Sequence, residues 1–325
     1  MAVPDLDRVP VLVTGGAGFI GSFLVEALLA HGARVRVLDD LSTGRRENLP
    51  QGPLGKLELA QGDIRDLETC RAACAGVEYV FHQAALGSVP RSLADPATTI
   101  AVNVGGTANV LTAAREARVR RVVYASSSSV YGDAATIVKK EGDEGRPLSP
   151  YAASKVMTEE LAAVFARCYG QELIGLRYFN VYGPRQSTDG PYAAVVPRFF
   201  RACLAGEAPV IYGDGRQSRD FTFVEDAVLA NLLAAGAPPE ALGRAYNVAR
   251  GERTTVADLA ERVRETAGCG RPPRHEPQRP GDVLHSMADP EPAARFLGFR
   301  AEVSLRDGLQ RASAYYLAKE RTWQP

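Results

Sequence analysis

The stretch Val11-Leu12-Val13-Thr14-Gly15-Gly16-Ala17-Gly18-Phe19-Ile20-Gly21 decides how the rest of the chain is read. Val11-Thr14 has the length and composition of a buried strand, and an apolar pattern of helical period begins near Ile20. The glycines spaced by three therefore stand at a strand-to-helix turn. Gly15 permits the tight turn, Gly18 lets backbone approach a pyrophosphate held on the helix N-terminus, and Gly21 lets the helix pack close to the strand. Without that context the same glycines would describe only a tight turn. The next strand ends at Leu38-Asp39-Asp40, about 20 residues on, where a carboxylate accepts hydrogen bonds from both hydroxyls of an adenosine ribose. Asp39 also repels a 2′-phosphate, so NAD is the expected dinucleotide. Arg45 and Arg46 keep NADP as the alternative, and a solvated loop acid is the plain reading of Asp39.

Outward from this turn, short apolar runs at Val11-Thr14, Val35-Leu38, Leu57-Gln61, Val80-His82, Val122-Ser126 and Leu173-Arg177 alternate with helical patterns near Ile20-His31, Leu67-Ala75, Thr98-Ala117 and Ala152-Tyr169. Strands separated by helices imply parallel pairing through right-handed crossovers. The expected fold is α/β, a doubly wound parallel sheet, with a smaller and irregular α/β lobe after it. Past Asn180, turn signals replace the alternation: Gly183-Pro184, Asp189-Gly190-Pro191, Gly213-Asp214-Gly215 and the Pro-rich 271–280 stretch. The expected boundaries are 1–180 for the dinucleotide domain, with 219–250 returning to it, and 181–218 plus 251–325 for the second lobe. Leu305-Lys319 is expected to close that lobe as a helix.

The chain of 325 residues has 46% hydrophobic residues and 38 basic against 38 acidic side chains, a globular and electrically balanced composition. It offers no general attraction for nucleic acid or anionic lipid. Neither a signal peptide at the N-terminus nor a bilayer-spanning apolar run is read from the sequence. The five cysteines are few, odd in number and scattered, so reduced thiols in a cytoplasm are expected. The four histidines and the pair Cys70 and Cys74 lack metal-ligand spacing, and core or surface roles are expected for them.

Ser149-Pro150-Tyr151-Ala152-Ala153-Ser154-Lys155 puts a tyrosine and a lysine four apart on one face of a helix begun by Pro150. A phenol is a poor base at neutral pH, but a nearby ammonium and a cationic nicotinamide ring favour the phenolate. Tyr151 then becomes a usable proton acceptor. The plain alternative is a helix N-terminus with a surface tyrosine. Ser126-Ser127-Ser128-Ser129 follows a buried strand, and open α/β sheets bind ligands beyond the carboxyl ends of their strands. Hydroxyls there can share a proton with Tyr151 and a sugar hydroxyl.

Together, Thr14–Gly21, Asp39, Gly62-Asp63-Ile64, Gln83-Ala84-Ala85, the serine run, the Tyr151/Lys155 pair and Arg177-Tyr178-Phe179-Asn180-Val181-Tyr182-Gly183-Pro184 resemble the extended short-chain dehydrogenase/reductase family over nearly the whole chain. The resemblance implies a Rossmann fold with bound NAD. Within the family the chain is most similar to nucleotide-sugar 4-epimerases acting on UDP-N-acetylhexosamines, through 85–92, 190–197 and 213–221. By that resemblance Ser127 is the catalytic serine, Tyr151 the base, and Lys155 the residue that binds nicotinamide ribose. Gly15, Gly18, Phe19, Ile20 and Asp39 hold the dinucleotide, with Asp63 and Ile64 at adenine. Gln83, Ala84, Ala85, Asn103 and Tyr178 complete the cofactor side.

For the sugar nucleotide the resemblance implies Arg219 and Arg279 on the diphosphate, Asp282 on the uridine ribose, Asn180 on phosphate or sugar, and Tyr212 against uracil. Ser88, Arg91 and Ser128 are the sugar-side candidates, and Ser286 is the gate beside C2. Dehydratases and decarboxylases of the family carry carboxylates just after the catalytic serine or threonine; here Ser128 and Ser129 stand there. C4 epimerisation of a UDP-sugar through a 4-keto intermediate is therefore expected. The substrates implied are UDP-N-acetylglucosamine and UDP-N-acetylgalactosamine, with the plain hexoses also accepted. UDP-glucuronic acid or its N-acetyl analogue is the rival substrate, and a catalytically silent NAD-binding regulator the rival class. A homodimer through the helices at Thr98-Ala117 and Ala152-Tyr169 is implied, unless their apolar stripe is buried within one chain.

Overall fold

The computed structural model describes residues 2–50, 56–188, 193–277 and 284–321. Seven strands form its principal sheet: β1 Pro10–Thr14, β2 Arg34–Asp39, β3 Leu57–Gln61, β4 Tyr79–His82, β5 Arg121–Ser127, β6 Glu172–Tyr178 and β7 Arg244–Val248. Their spatial order is β7-β6-β5-β4-β1-β2-β3 and every pairing is parallel. The order reverses between β1 and β4. Crossovers leaving those two strands run to opposite faces, and their loops part to leave a crevice at the carboxyl ends. Each strand found in the sequence lies inside one of these, and 244–248 forms the edge strand beside β6.

Eleven helices accompany the sheet among the described residues. They are α1 Phe19–Ala30, α2 Leu67–Cys74, α3 Val89–Ala94, α4 Pro96–Ile100, α5 Thr107–Glu116, α6 Pro150–Tyr169, α7 Val195–Leu204, α8 Val224–Ala235, α9 Val256–Thr266, α10 Glu291–Leu297 and α11 Leu305–Arg321. One core joins α1 and α8 to one face of the sheet through Leu24, Val25, Leu28 and Leu232. The other joins α2, α5 and α6 to the opposite face through Cys74, Val110, Leu111 and Ala162. Among the described residues no helix is long and apolar enough to cross a membrane.

The expected single helix over Thr98-Ala117 is interrupted. A π-helical turn, Ala101–Gly106, separates α4 from α5. The Asn103 carbonyl there accepts from the hydroxyls of Thr107 (2.5 Å) and Thr158 (3.3 Å). A side chain at Gly106 would collide with Ile64 Cδ1, 2.4 Å from the position a Cβ would take. The widened turn thus lets backbone press against the segment that carries Asp63 and Ile64.

A third core, with Phe199, Phe200, Leu259, Val263 and Leu309, binds α7, α9 and α11 together. Beside it, short strands Thr254–Thr255, Ser218–Arg219, His285–Ala288 and Val138–Lys139 pair in that order. The last of them comes from the segment after β5, so the two parts of the chain share a sheet as well as a cleft.

Candidate active site

A cleft of about 760 Å³ opens at the carboxyl ends of β1, β4 and β5. Gly15, Gly18, Phe19, Ile20, Asp39 and Asp63 line one end of it, and Ser127, Ser128, Tyr151, Lys155, Tyr178 and Asn180 the other. Residues separated by more than a hundred positions in sequence thus face one space.

The glycine turn is built as its spacing predicts. Gly15 has φ +67°, and a Cβ on it would stand 2.7 Å from Ala84 Cα. On Gly21 a Cβ would lie 2.1 Å from the Gly15 carbonyl oxygen, so helix α1 can start here only because both positions lack a side chain. Asp39, at the end of β2, is buried; its carboxylate accepts from the Ala17 amide (2.9 Å) and the Leu41 amide (2.8 Å). Burial raises its pKa, with these two amides opposing. The adenosine end of the cradle thus holds an acid fixed in orientation. Next to it Asp63, paired with Arg65 at 2.8 Å, is held below the usual carboxylate range by that guanidinium.

On the other side Ala84 and Ala85 line the cleft beside Gln83. Gln83 donates to Asn231 (3.0 Å) and accepts from the Tyr178 hydroxyl (3.1 Å), so Tyr178 presents its ring and not a free hydroxyl. Asn103 is buried behind this wall and is not among the described residues lining it. Its side-chain oxygen accepts from the Leu86 amide (2.8 Å) and its amide donates to the Ser154 hydroxyl (2.9 Å). It acts on the cleft through α6.

Helix α6 starts at a Ser149 cap, whose hydroxyl accepts from the Ala152 amide (3.1 Å), with Pro150 at the first helical position. This start aims Tyr151 and Lys155 at the end of β5. The Ser127 hydroxyl accepts from the Ser129 amide (3.1 Å) and hydrogen-bonds the Tyr151 phenol. Burial pushes the phenol pKa up and the serine hydrogen bond opposes it. Burial also pushes Lys155 down to about 8, against the pull of Glu159. The Lys155 ammonium donates to the Ala125 carbonyl (2.7 Å).

The sugar-side candidates divide. Arg91, Ser128 and Asn180 line the cleft. Ser88, Tyr212, Arg219 and Ser286 are not among its described lining. Ser88 spends its hydroxyl capping α3 through the Arg91 amide (3.2 Å). Tyr212 lies in a second hollow under the guanidinium of Arg198, 5.3 Å from the ring centre. Arg219 donates to the Ser218 carbonyl (2.9 Å) and pairs in register with Ser286. Asn180 has φ +35°, and its side chain donates to the Asp220 carbonyl (2.8 Å). Arg279 and Asp282 lie outside the described residues. Asp95, Thr98 and Gln186 also line the cleft. Their sequence signals are those of helix caps and turns, which no binding pattern distinguishes.

A doubly wound sheet with a glycine cradle at its switch point and a serine-tyrosine-lysine set facing it defines a short-chain dehydrogenase/reductase-type site. The chain belongs to the NAD dependent epimerase/dehydratase family, whose profile matches residues 11–249. It is 40% identical over 313 residues to the UDP-glucose 4-epimerase of Mycolicibacterium smegmatis, covering 95% of this chain and 99% of that one. The UDP-N-acetylglucosamine 4-epimerase from Methanobrevibacter ruminantium, solved in complex with UDP-N-acetylmuramic acid, superposes with a TM-score of 0.92 at 36% identity, covering 96% and 99% of the two chains. The Thermus thermophilus UDP-glucose 4-epimerase, solved in complex with NAD, gives 0.84 at 37% identity, covering 95% and 99%. UDP-sugar 4-epimerases are thus among its relatives, and NAD is its cofactor. The glycine cradle and the amide-oriented Asp39 carboxylate fit that dinucleotide.

Proposed function

We propose that the protein is an NAD-dependent UDP-sugar 4-epimerase that interconverts UDP-N-acetylglucosamine and UDP-N-acetylgalactosamine and also accepts UDP-glucose and UDP-galactose. The observation that carries this reading is the hydrogen-bonded Ser127–Tyr151 pair in a cleft whose described lining places no carboxylate beside it. Among those lining residues the acids are Asp39, Asp40 and Asp63 at the adenosine end and Asp95 capping α4. A dehydratase needs a carboxylate to work on C5 and C6. With Ser128 and Ser129 in those positions, a 4-keto sugar has one productive exit, reduction from the opposite face after the sugar turns.

Bound NAD supplies the oxidation at C4 and its reversal, so it is unchanged over a cycle. Tyr151 receives the proton of the 4-hydroxyl and returns it, because its phenol is the titratable group that faces Ser127. The Ser127 hydroxyl bridges the phenol and the C4 oxygen, accepting from the alcohol and donating to the ketone. Lys155, anchored on Ala125, meets the nicotinamide ribose. In this reading Gly15, Gly18, Phe19, Ile20, Asp39, Asp63 and Ile64 bind the adenosine diphosphate half, and Gln83, Ala84, Ala85 and Tyr178 the rest. Residues 181–218 and 251–325 carry the uridine end, with Arg279 and, at the junction just past residue 218, Arg219 on the diphosphate.

We also propose a cytoplasmic homodimer. Leu93, Met157 and Val164 are exposed apolar side chains on α3 and α6, and all five thiols are unpaired.

The test is a parallel assay of purified protein with UDP-N-acetylglucosamine, UDP-glucose, UDP-glucuronic acid and UDP-N-acetylglucosaminuronic acid, run in deuterium oxide. Expected is epimer formation with the two neutral sugars and no deuterium at C5 or C6. A strong preference for a uronic acid would overturn the substrate and keep the reaction. Deuterium in the sugar ring, or loss of carbon dioxide, would overturn the reaction.

A further inference from the structure

Behind the Ser127–Tyr151 pair lies a buried ionic cluster that the reaction as proposed does not use. Arg177, near the carboxyl end of the buried strand β6, forks onto Glu159 of α6 through Nε (2.9 Å) and Nη2 (2.7 Å). Its third nitrogen meets the Tyr131 hydroxyl (3.0 Å) and the Glu144 carboxylate. The Tyr131 ring lies 5.1 Å beneath the guanidinium, and the Tyr131 hydroxyl donates to Asn247 (2.7 Å) on β7. Glu159 has one further partner, the hydroxyl of Ser126, which immediately precedes Ser127.

Glu159 is one helical turn beyond Lys155, whose ammonium holds the Ala125 carbonyl. Two successive residues of β5, Ala125 and Ser126, are thus tied to two successive turns of α6, and Tyr151, one turn before Lys155, faces Ser127. We infer that Glu159, held by Arg177 and Ser126, is a positioning residue whose carboxylate balances the buried Lys155 ammonium and fixes the catalytic helix to the strand that carries Ser127. The inference rests on the reading of Lys155 as the cofactor-site lysine.

The charges account for the geometry. Arg177 and Lys155 carry one positive charge each and Glu144 and Glu159 one negative each; the half-buried Glu141, which accepts from the Asn247 amide (2.7 Å), also feels the Arg177 charge, while burial raises its pKa. Buried charges are tolerated only when paired and hydrogen-bonded. Arg177 alone beside Lys155 would repel it, and two carboxylates on Arg177 leave one negative charge over for the lysine. The neighbouring phenols, Tyr151 on the same helix and Tyr124 against Glu159, are buried and uncharged at neutral pH, and burial pushes the His82 imidazole beside Lys155 down to about 3. Glu160, next to Glu159, is exposed. Loss of either carboxylate removes a negative charge from beside the two cations and makes it easier for Lys155 to give up its proton.

The chain has five lysines, Lys56, Lys139, Lys140, Lys155 and Lys319. A titration of protein labelled with ¹³C at lysine Cε, assigned with Lys155→Arg, therefore reads Lys155 directly and needs no sugar substrate. Expected is a midpoint about one pH unit lower in Glu159→Gln than in the wild type. Glu144→Gln, at a more exposed carboxylate, is expected to lower it in the same direction and provides the reading if Glu159→Gln does not fold. Glu159→Asp, which keeps the charge, is expected to restore the wild-type midpoint. An unchanged midpoint in the folded Gln variants would overturn the inference. Turnover against pH supplies the second readout: the alkaline limb should move with the lysine in Glu159→Gln, whereas a purely structural residue would lower turnover equally at every pH. A shifted lysine in a protein that epimerises no UDP-sugar would keep this inference and overturn the function.

Discussion

The imidazole of His82 hydrogen-bonds the hydroxyl of Thr14, 2.7 Å from its Nδ1, and so links the strand of the glycine turn to the strand beside it. The other ring nitrogen meets Thr107 at 2.9 Å, and the Thr14 oxygen also accepts from the Ala84 amide at 3.3 Å. A doubly engaged imidazole without a carboxylate partner has no means of holding a second proton. Burial, with the Lys155 charge adding to it, pushes its pKa down to about 3. An unfolded histidine titrates near 6.5. Above that pH neither state binds the proton and His82 contributes fully to stability. As pH falls through 6.5 the unfolded chain gains a proton that the folded one refuses, and stability drops by about 1.4 kcal/mol per pH unit until about pH 3. His82→Gln should be less stable than the wild type at pH 7.5, with the gap closing by about 2 kcal/mol between pH 6.5 and pH 5. Urea unfolding at a series of pH values measures it, and a constant gap would refute the assignment.

The cradle makes a sharper demand on its glycines. Gly21→Ala puts a methyl group 2.1 Å from the Gly15 carbonyl oxygen, and backbone on both sides prevents relief. The expected cost is about 1–3 kcal/mol, with NAD affinity reduced at least about tenfold as the turn opens. Gly105→Ala is the control, since a Cβ there meets nothing within 4 Å. Calorimetric titration of both variants with NAD decides the point; equal affinities would show that the turn does not bind the dinucleotide.

That turn is legible because glycine spacing, strand and helix all fall within eleven residues. The strands are legible for the same local reason: β-branched runs need only their own composition to be recognised. Helix α9 also carries its signals, a Thr255 cap and buried Val256, Leu259, Ala260 and Val263 at helical spacing, but they sit among glycine and proline turns that read as an irregular lobe. Short α3 and α10 lack the length for periodicity to speak. The π-helical turn depends on the approach of Ile64 and on hydroxyls from α5 and α6, which no window of sequence contains. Arg177 has a signal, a charged residue inside the apolar run Leu173-Tyr178, and a buried charge implies partners. Its partners Glu144 and Glu159 are 33 and 18 residues away, and only folding reveals them.

If Tyr151 is the proton acceptor, Tyr151→Phe should lower turnover by about 10² to 10⁴ while NAD still binds. Ser127→Ala removes the bridge between the phenol and the C4 oxygen and should cost about 10- to 100-fold. Because burial raises the phenol pKa in the protein alone, ultraviolet titration should find Tyr151 ionising more readily with NAD bound than without it. Full activity in Tyr151→Phe would sink the assignment of Tyr151 as the proton acceptor.

The dimer makes a separate prediction. Met157 and Val164 are seven residues apart on α6, hence on one face, and are 48% and 40% exposed, with Leu93 of α3 at 64%. The double variant Met157→Lys, Val164→Lys places charge on that face without touching the buried side of the helix. Light scattering at micromolar concentration should give a dimer for the wild type and a monomer for the variant, with the unfolding midpoint shifted little. A monomeric wild type would end the proposal.

Substrate choice depends on the lobe that the cleft's described lining reaches least. Arg219 and Ser286 are partners in parallel register, so their side chains leave the small sheet on the same face. An arginine on that face suits a diphosphate, and the serine beside it is then within reach of the adjoining sugar. A serine there leaves room for an acetamido group, and an enlarged pocket discriminates weakly against a smaller ligand. Ser286→Tyr fills that space with an aromatic ring. Turnover of UDP-N-acetylglucosamine should fall by at least about 10²-fold, while UDP-galactose keeps most of its rate, because only the first carries bulk at C2. Arg219→Met should instead raise KM for both sugars alike and leave NAD affinity unchanged, since it removes a contact to the part they share. Equal losses with both sugars in Ser286→Tyr would mean that residue 286 does not adjoin C2, and the gate would have to be sought elsewhere in the lobe.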